Sequence, residues 1–208
     1  MAVAWEAAIA AGLEPSYSVA APQEHDTRGH IDNHGIDTAA VSMVWRMRRR
    51  LGQGTPPLLQ FVRCAEVKGG GGAILAFSRA SASQFGRTLL INARRRAMSE
   101  PVPDAFIKRL YHQYLAGPAL CTLLSKSIDP EGRMVGPFHA IIVDQESLSV
   151  GETACAAAPL CRGTVLVVRA GSTQLRDIQG ATHRIKAVGG AVLGTLLIGD
   201  YRLQPNDV

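Results

Sequence analysis

Two features of this chain could do chemistry with phosphate. The first is the segment Cys64 to Ala80, CAEVKGGGGAILAFSRA, in which a short apolar run is followed by Lys68, Gly69, Gly70, Gly71 and Gly72 and then by residues of helical character. A glycine-rich turn between a strand and a helix N-terminus presents backbone N–H groups to an anion, and the helix dipole adds to the attraction. The second is Asp144, which closes the apolar run HAIIVD. A carboxylate at the end of a buried strand can hold a divalent cation through its water shell. Asn92 ends another apolar run, TLLIN, and is followed by Arg94, Arg95 and Arg96.

Other constellations carry less. Ser125, Ser127 and Ser147 lack the strand-to-helix context of a nucleophilic serine. Cys64, Cys121, Cys155 and Cys161 have no metal-ligand spacing and read as thiols within the fold, and no metal site is expected. His25, Asp26, His30 and Asp32 form a loose patch that reads as solvated, and the isolated His139 and His183 read as structural.

The elements that must position these groups follow from pattern. Residues 58–64, 88–92, 139–144, 163–170 and 191–198 are short apolar runs suited to buried strands, and segments of helical character separate them. Phe106, Leu110, Tyr114 and Leu115 at helical spacing, then Leu120, Leu123 and Leu124 after Gly117-Pro118, predict two short helices across 101–127. The alternation argues for an α/β fold, a doubly wound, mostly parallel sheet with helices on both faces, whose sites lie at the carboxyl ends of the strands.

Upstream, residues 1–36 read as an acidic arm or linker, and 37–208 as the α/β domain, beginning with a basic helix over 38–51 capped by Asp37. With 47% hydrophobic and 19% charged residues among 208, the chain can bury a core, and its apolar runs fall far short of a membrane span. Glu6 and Glu14 among the first alanines do not make a secretory leader, so a cytoplasmic chain is expected. The net charge of +5 collects in RMRRR, Arg46 to Arg50, and in Arg94 to Arg96, while aromatic residues are only 5%. With so few stacking platforms, nucleic acid is not expected as a partner.

The order of these motifs resembles the bacterial exopolysaccharide tyrosine kinases and chain-length regulators, a branch of the P-loop ATPases related to the MinD/ParA type. Cys64 to Glu66 match the start of that family's phosphate loop; Gly86, Leu89, Leu90 and Ile91 match its second strand. Phe138, Ile141, Ile142 and Asp144 match the strand ending in a metal-proximal carboxylate; Val165 to Gly171, then Leu193 and Gly194, match later strands. The resemblance covers about residues 37–198. It implies a P-loop NTPase-like fold and a nucleotide site at Lys68 to Gly72, Asn92 and Asp144.

The departures from that family are chemical. Its Lys-Ser or Lys-Thr pair falls on Gly71, Gly72 and Ala73, or in a slid frame on Ala73 and Ile74, and its second carboxylate is Asn92. The family's Glu-x-x-Arg-x-x-Arg oligomer helix reads Met43, Arg46 and Arg49, and its terminal tyrosine cluster is reduced to Tyr201. The resemblance therefore implies a catalytically degenerate subunit with no catalytic residues and no required cofactor. ATP or ADP held without hydrolysis is the subordinate expectation.

Its expected partner is a membrane-embedded polysaccharide co-polymerase, with Arg46 and Arg49 at the interface and a homo-oligomer as a further option, and its expected place is peripheral at the inner membrane. The alternative is an active ATPase or autophosphorylating tyrosine kinase working through Lys68 and Asp144 in an unorthodox loop.

Overall fold

The computed structural model describes residues 33–52, 57–65, 70–94, 110–148 and 152–198. The expectations for Lys68, Gly69, Arg95, Arg96, Phe106, Tyr201 and residues 1–32 lie outside the described residues. In chain order the elements are α1 (Asn33–Leu51), β1 (Leu58–Arg63), α2 (Gly70–Phe85), β2 (Thr88–Asn92), β3 (Leu110–Tyr114), α3 (Gly117–Lys126), β4 (Ala140–Ser147), α4 (Thr153–Ala157), β5 (Gly163–Arg169), α5 (Leu175–Ala187) and β6 (Val192–Ile198). A single 3-10 turn, Ala158–Leu160, follows α4.

The strands form one six-stranded sheet in the order β3-β2-β4-β1-β5-β6, and every pairing in it is parallel. Strands β1 and β2 are buried along their whole length, and β4 and β5 at all but one residue each, as apolar runs covered on both faces should be. On one face Leu59, Phe61, Leu90, Ile142, Val165 and Val167 meet Val44 and Met47 of α1 and Ile74 and Phe77 of α2. The Phe61 and Phe77 rings lie 5.0 Å apart in a tilted pair. On the other face Leu58, Ile91, Ile141 and Val143 pack with α3 and α4, while Val62, Leu166 and Val168 pack with Ala181 and Ile185 of α5. Gln60 stays buried at the sheet centre because its amide donates to the Ala154 carbonyl (3.2 Å) and to Thr164 Oγ1 (2.9 Å).

Three expectations need correction. Leu110 to Tyr114 is strand β3, not helix. As an edge strand paired only with β2, its side chains are half-buried or exposed and it shows no apolar run. The four-residue step from Leu110 to Tyr114, which suggested a helix, equally fits alternation through His112. The basic helix begins at Asn33, so Asp37 lies inside it and is not its cap; Gly35 there weakens a helix by about 1 kcal/mol relative to Ala without ending it. Gly70, Gly71 and Gly72 form the first turn of α2, where a turn before the helix was expected.

Gly86 closes α2 with a positive φ of 98°, the left-handed conformation that glycine adopts freely, and its N–H bonds back to the Ala82 carbonyl. His139 is structural at the same corner: its Nδ1 accepts from the Arg87 N–H at 3.2 Å.

The core assignment makes a contrast. Leu120 in α3 is fully buried, whereas Leu175 at the start of α5 is 68% exposed. Leu120→Ala is expected to lower unfolding free energy in urea by about 2–5 kcal/mol, and Leu175→Ala to change it by no more than about 0.5 kcal/mol. Equal effects would contradict the assignment.

Candidate functional site

The groups with chemistry meet at the carboxyl ends of β1, β4 and β2, on the face covered by α2. Parallel pairing sets Asn92 opposite Asp144, and Phe61 opposite Asp144 on the other side. Side chains alternate along a strand, so Phe61, Arg63, Asp144 and Asn92 point to the same face. The register between β1 and β4 shifts at Val62/Arg63, and there the last residue of β1 turns toward β4.

Arg63 is the residue that sequence reasoning missed. Its guanidinium grips Asp144 with both terminal nitrogens: Nη1 donates to Oδ1 at 2.5 Å and Nη2 to Oδ2 at 3.3 Å. The same Nη1 donates to the Gln145 carbonyl. The side chains of Arg63 and Asp144 are 6% and 5% exposed, so this is a buried, bidentate, charge-assisted pair. Arg94 closes the other side, its Nε 3.2 Å from Asp144 Oδ2. Asn92 does not face the carboxylate as a second acid would. Its Oδ1 accepts from the Arg94 N–H and Nε, at 3.1 and 3.3 Å. One signal for Arg63 was available: a charged residue ending an otherwise apolar strand, LLQFVR, just before the glycine run.

The glycines have a positional reason. A Cβ on Gly70 would stand 3.4 Å from Arg63 Nε and Nη2 and 3.3 Å from Ile198 Cδ1, and one on Gly71 would stand 3.7 Å from Arg94 Nη2. The bare first turn of α2 thus lets two guanidinium groups lie beside it. That placement is electrostatically unfavourable by itself, because helix N-termini repel cations. The Asp144 carboxylate offsets it, and the cluster holds two arginines for one acid.

His112 sits nearby on β3. Burial pushes its imidazole below the usual histidine range, Arg94 pushes the same way, and Asp144 opposes them. Its ring meets Tyr114 edge to face at 4.9 Å. Cys64 and Cys161 are buried thiols whose pKa values burial raises to about 11 and about 12, which keeps them protonated and unreactive; Cys121 and Cys155 are only partly buried.

A cavity of about 260 Å³ at this end opens on the opposite face, lined by Ala93, Gly117, Gln145 and Thr153 and not by Asp144. Arg46 and Arg49 are exposed on α1 and are not part of this cluster. What the cluster can do chemically is hold charge. Three guanidinium nitrogens face the two Asp144 oxygens, so the carboxylate is already neutralised from within the chain.

The sequence matches no family model and no curated protein. Solved structures do share the fold. The kinase domain of the Escherichia coli tyrosine kinase ETK aligns over 87% of this chain and 84% of its own, with 14% identity and a TM-score of 0.61. The VpsO kinase domain aligns over 81% and 98%, with 13% identity and a TM-score of 0.57. The BceF tyrosine kinase domain aligns over 80% and 76%, with 16% identity and a TM-score of 0.53. The all-parallel sheet with its flanking helices is therefore the fold of bacterial tyrosine kinase domains.

Removing one partner of a buried pair leaves an uncompensated charge, so Asp144→Asn, which leaves the buried Arg63 without its acid, should destabilise the chain by about 3–5 kcal/mol, and Arg63→Met, which leaves Asp144 to Arg94, should cost less. The double variant should lose less than the sum, with a coupling of at least about 1 kcal/mol in a urea-melt double-mutant cycle. Strict additivity would show that the two side chains do not act as a pair.

Proposed function

We propose that this chain is a kinase-fold subunit that has given up phosphoryl transfer, and that it supports exopolysaccharide synthesis or export by docking on a membrane-embedded co-polymerase. The carrying observation is the state of Asp144, whose two oxygens are engaged by Arg63 and Arg94. Phosphoryl transfer in such folds relies on positioning and on cations that neutralise developing charge, with acids and a hydroxyl holding the metal. Here the acid is paired internally, its neighbour is the amide of Asn92 turned toward Arg94, and the helix start is glycine where a lysine and a hydroxyl would act. Each such group is worth about 2–4 kcal/mol, or about two to three orders of magnitude in rate.

The residues present do not fit a magnesium-nucleotide, because the carboxylate that would hold the metal's water shell is already engaged by two arginines. A nucleotide held weakly by its phosphates, without turnover, remains compatible with the two arginines.

Docking is the function left to a fold without chemistry. Among the described residues no helix is long and apolar enough to cross a membrane. In this reading the chain is cytoplasmic and reaches the inner membrane through its partner, using Arg46, Arg49 and the surface around Gly70 to Gly72, alone or as a homo-oligomer.

Two outcomes are expected. Full-length protein with Mg²⁺ and radiolabelled ATP should show background hydrolysis and no phosphotyrosine, unchanged by Asp144→Ala; turnover well above background that this substitution abolishes would overturn the reading and favour a working kinase. Tagged protein mixed with detergent-solubilised membranes should capture an integral membrane protein, less so as the Arg46→Ala/Arg49→Ala variant; capture of soluble proteins alone would count against the docking role.

A further inference from the structure

The basic end of α1 has no acidic partner among the described residues. Arg46, Arg48, Arg49 and Arg50 are all exposed, and Trp45 beside them is 44% exposed. None of the four is ion-paired, the pairs formed among the described residues being those at Asp144, Asp129 and Glu131. At 100° per residue, Trp45, Arg46, Arg49 and Arg50 fall within an arc of about 140°. The buried Ala40, Val44 and Met47 occupy the opposite side, against the core. Cations in the last turn suit the helix dipole. The dipole does not account for four arginines in five residues around an exposed indole.

Arg48 ties this face to the body. Its guanidinium lies 5.4 Å over the Trp45 ring and 5.6 Å over Phe85 at the end of α2. Since α2 begins beside Arg63 and ends at Phe85, its length of about 24 Å separates the basic face, at the amino ends of the strands, from the Arg63–Asp144 pair at their carboxyl ends.

We propose that this face of α1 binds an anionic phospholipid surface directly. Unpaired arginines are drawn to anionic headgroups, and an indole with an apolar body and a polar N–H settles at headgroup depth. A stacking site for nucleic acid fits less well, because Arg48 already covers the Trp45 ring. Bound this way, the chain turns its carboxyl-end cluster away from the bilayer. The proposal does not rest on the kinase-like reading, since it needs only the exposed charge and Trp45.

The test is co-sedimentation of the full-length chain with protein-free vesicles, which contain no co-polymerase and so separate this proposal from docking on one. Binding is expected to phosphatidylglycerol-containing vesicles and not to pure phosphatidylcholine, falling as salt rises from about 0.1 M to about 0.5 M. Arg46→Gln/Arg49→Gln should weaken it about 25-fold, at about five-fold per arginine. Lys186→Gln, on the helix layer across the sheet, should leave it unchanged. Trp45→Phe should abolish a blue shift in tryptophan emission on binding, which a merely structural role would not produce. Three results would overturn the proposal: no binding to the anionic vesicles; equal binding to both vesicle types; or tighter binding to a single-stranded oligonucleotide than to lipid.

Discussion

A buried carboxylate at the carboxyl end of a parallel sheet must find a cation, because a lone charge taken out of water costs several kcal/mol. In this chain the cation is Arg63, delivered by the last residue of the neighbouring strand. Much of the local structure is arranged around that pair. The register shift at Val62/Arg63 brings the guanidinium toward β4, and the bare surface of Gly70 leaves room for it beneath α2. Arg94 reaches the second oxygen, and Asn92 orients Arg94 through two hydrogen bonds. A larger residue at 70, or a second acid at 92, would disturb the same contact from opposite sides.

The pair also separates fold from chemistry. A parallel sheet with helices on both faces brings the start of the first packed helix and the strand ends together whatever they are used for, and the ETK, VpsO and BceF kinase domains share that fold at 13–16% identity. What the site does depends on which cation meets the acid. A metal ion can exchange and leave; a guanidinium fixed to a buried strand cannot, although it can still donate hydrogen bonds to a phosphate. In the proposed reading the same scaffold serves as a body with charged surfaces, the exposed arginines of α1 among them.

Much of the fold is legible in the sequence because the central strands are covered on both faces and must be apolar throughout; β1, β2, β4 and β5 announce themselves this way, and β6, an edge strand beside β5, does so through its run VLGTLLI although it is only partly buried. Strand β3 does not, since an edge strand with half-exposed Tyr111, His112 and Gln113 carries no such constraint. The start of α1 is equally obscured, as Gly35 within it looks like a stop. At the site, Asp144, Asn92 and the glycines stand out from their spacing. Arg63 does not, because its meaning comes from a partner 81 residues away that only strand pairing brings near. The helical start at Gly70 was hidden for a related reason: a glycine run reads locally as a turn, and the tight packing of Arg63 and Ile198 beside Gly70 is made by residues distant in sequence.

The central claim is that an internal guanidinium holds the place of an exchangeable cation at Asp144. Titration of the full-length protein with Mn²⁺ alone, read by electron paramagnetic resonance, tests it most directly, because bound Mn²⁺ loses the sharp signal of the free ion. The expected result is that added protein leaves the free Mn²⁺ signal unchanged. Stoichiometric Mn²⁺ binding that Asp144→Asn removes would contradict it.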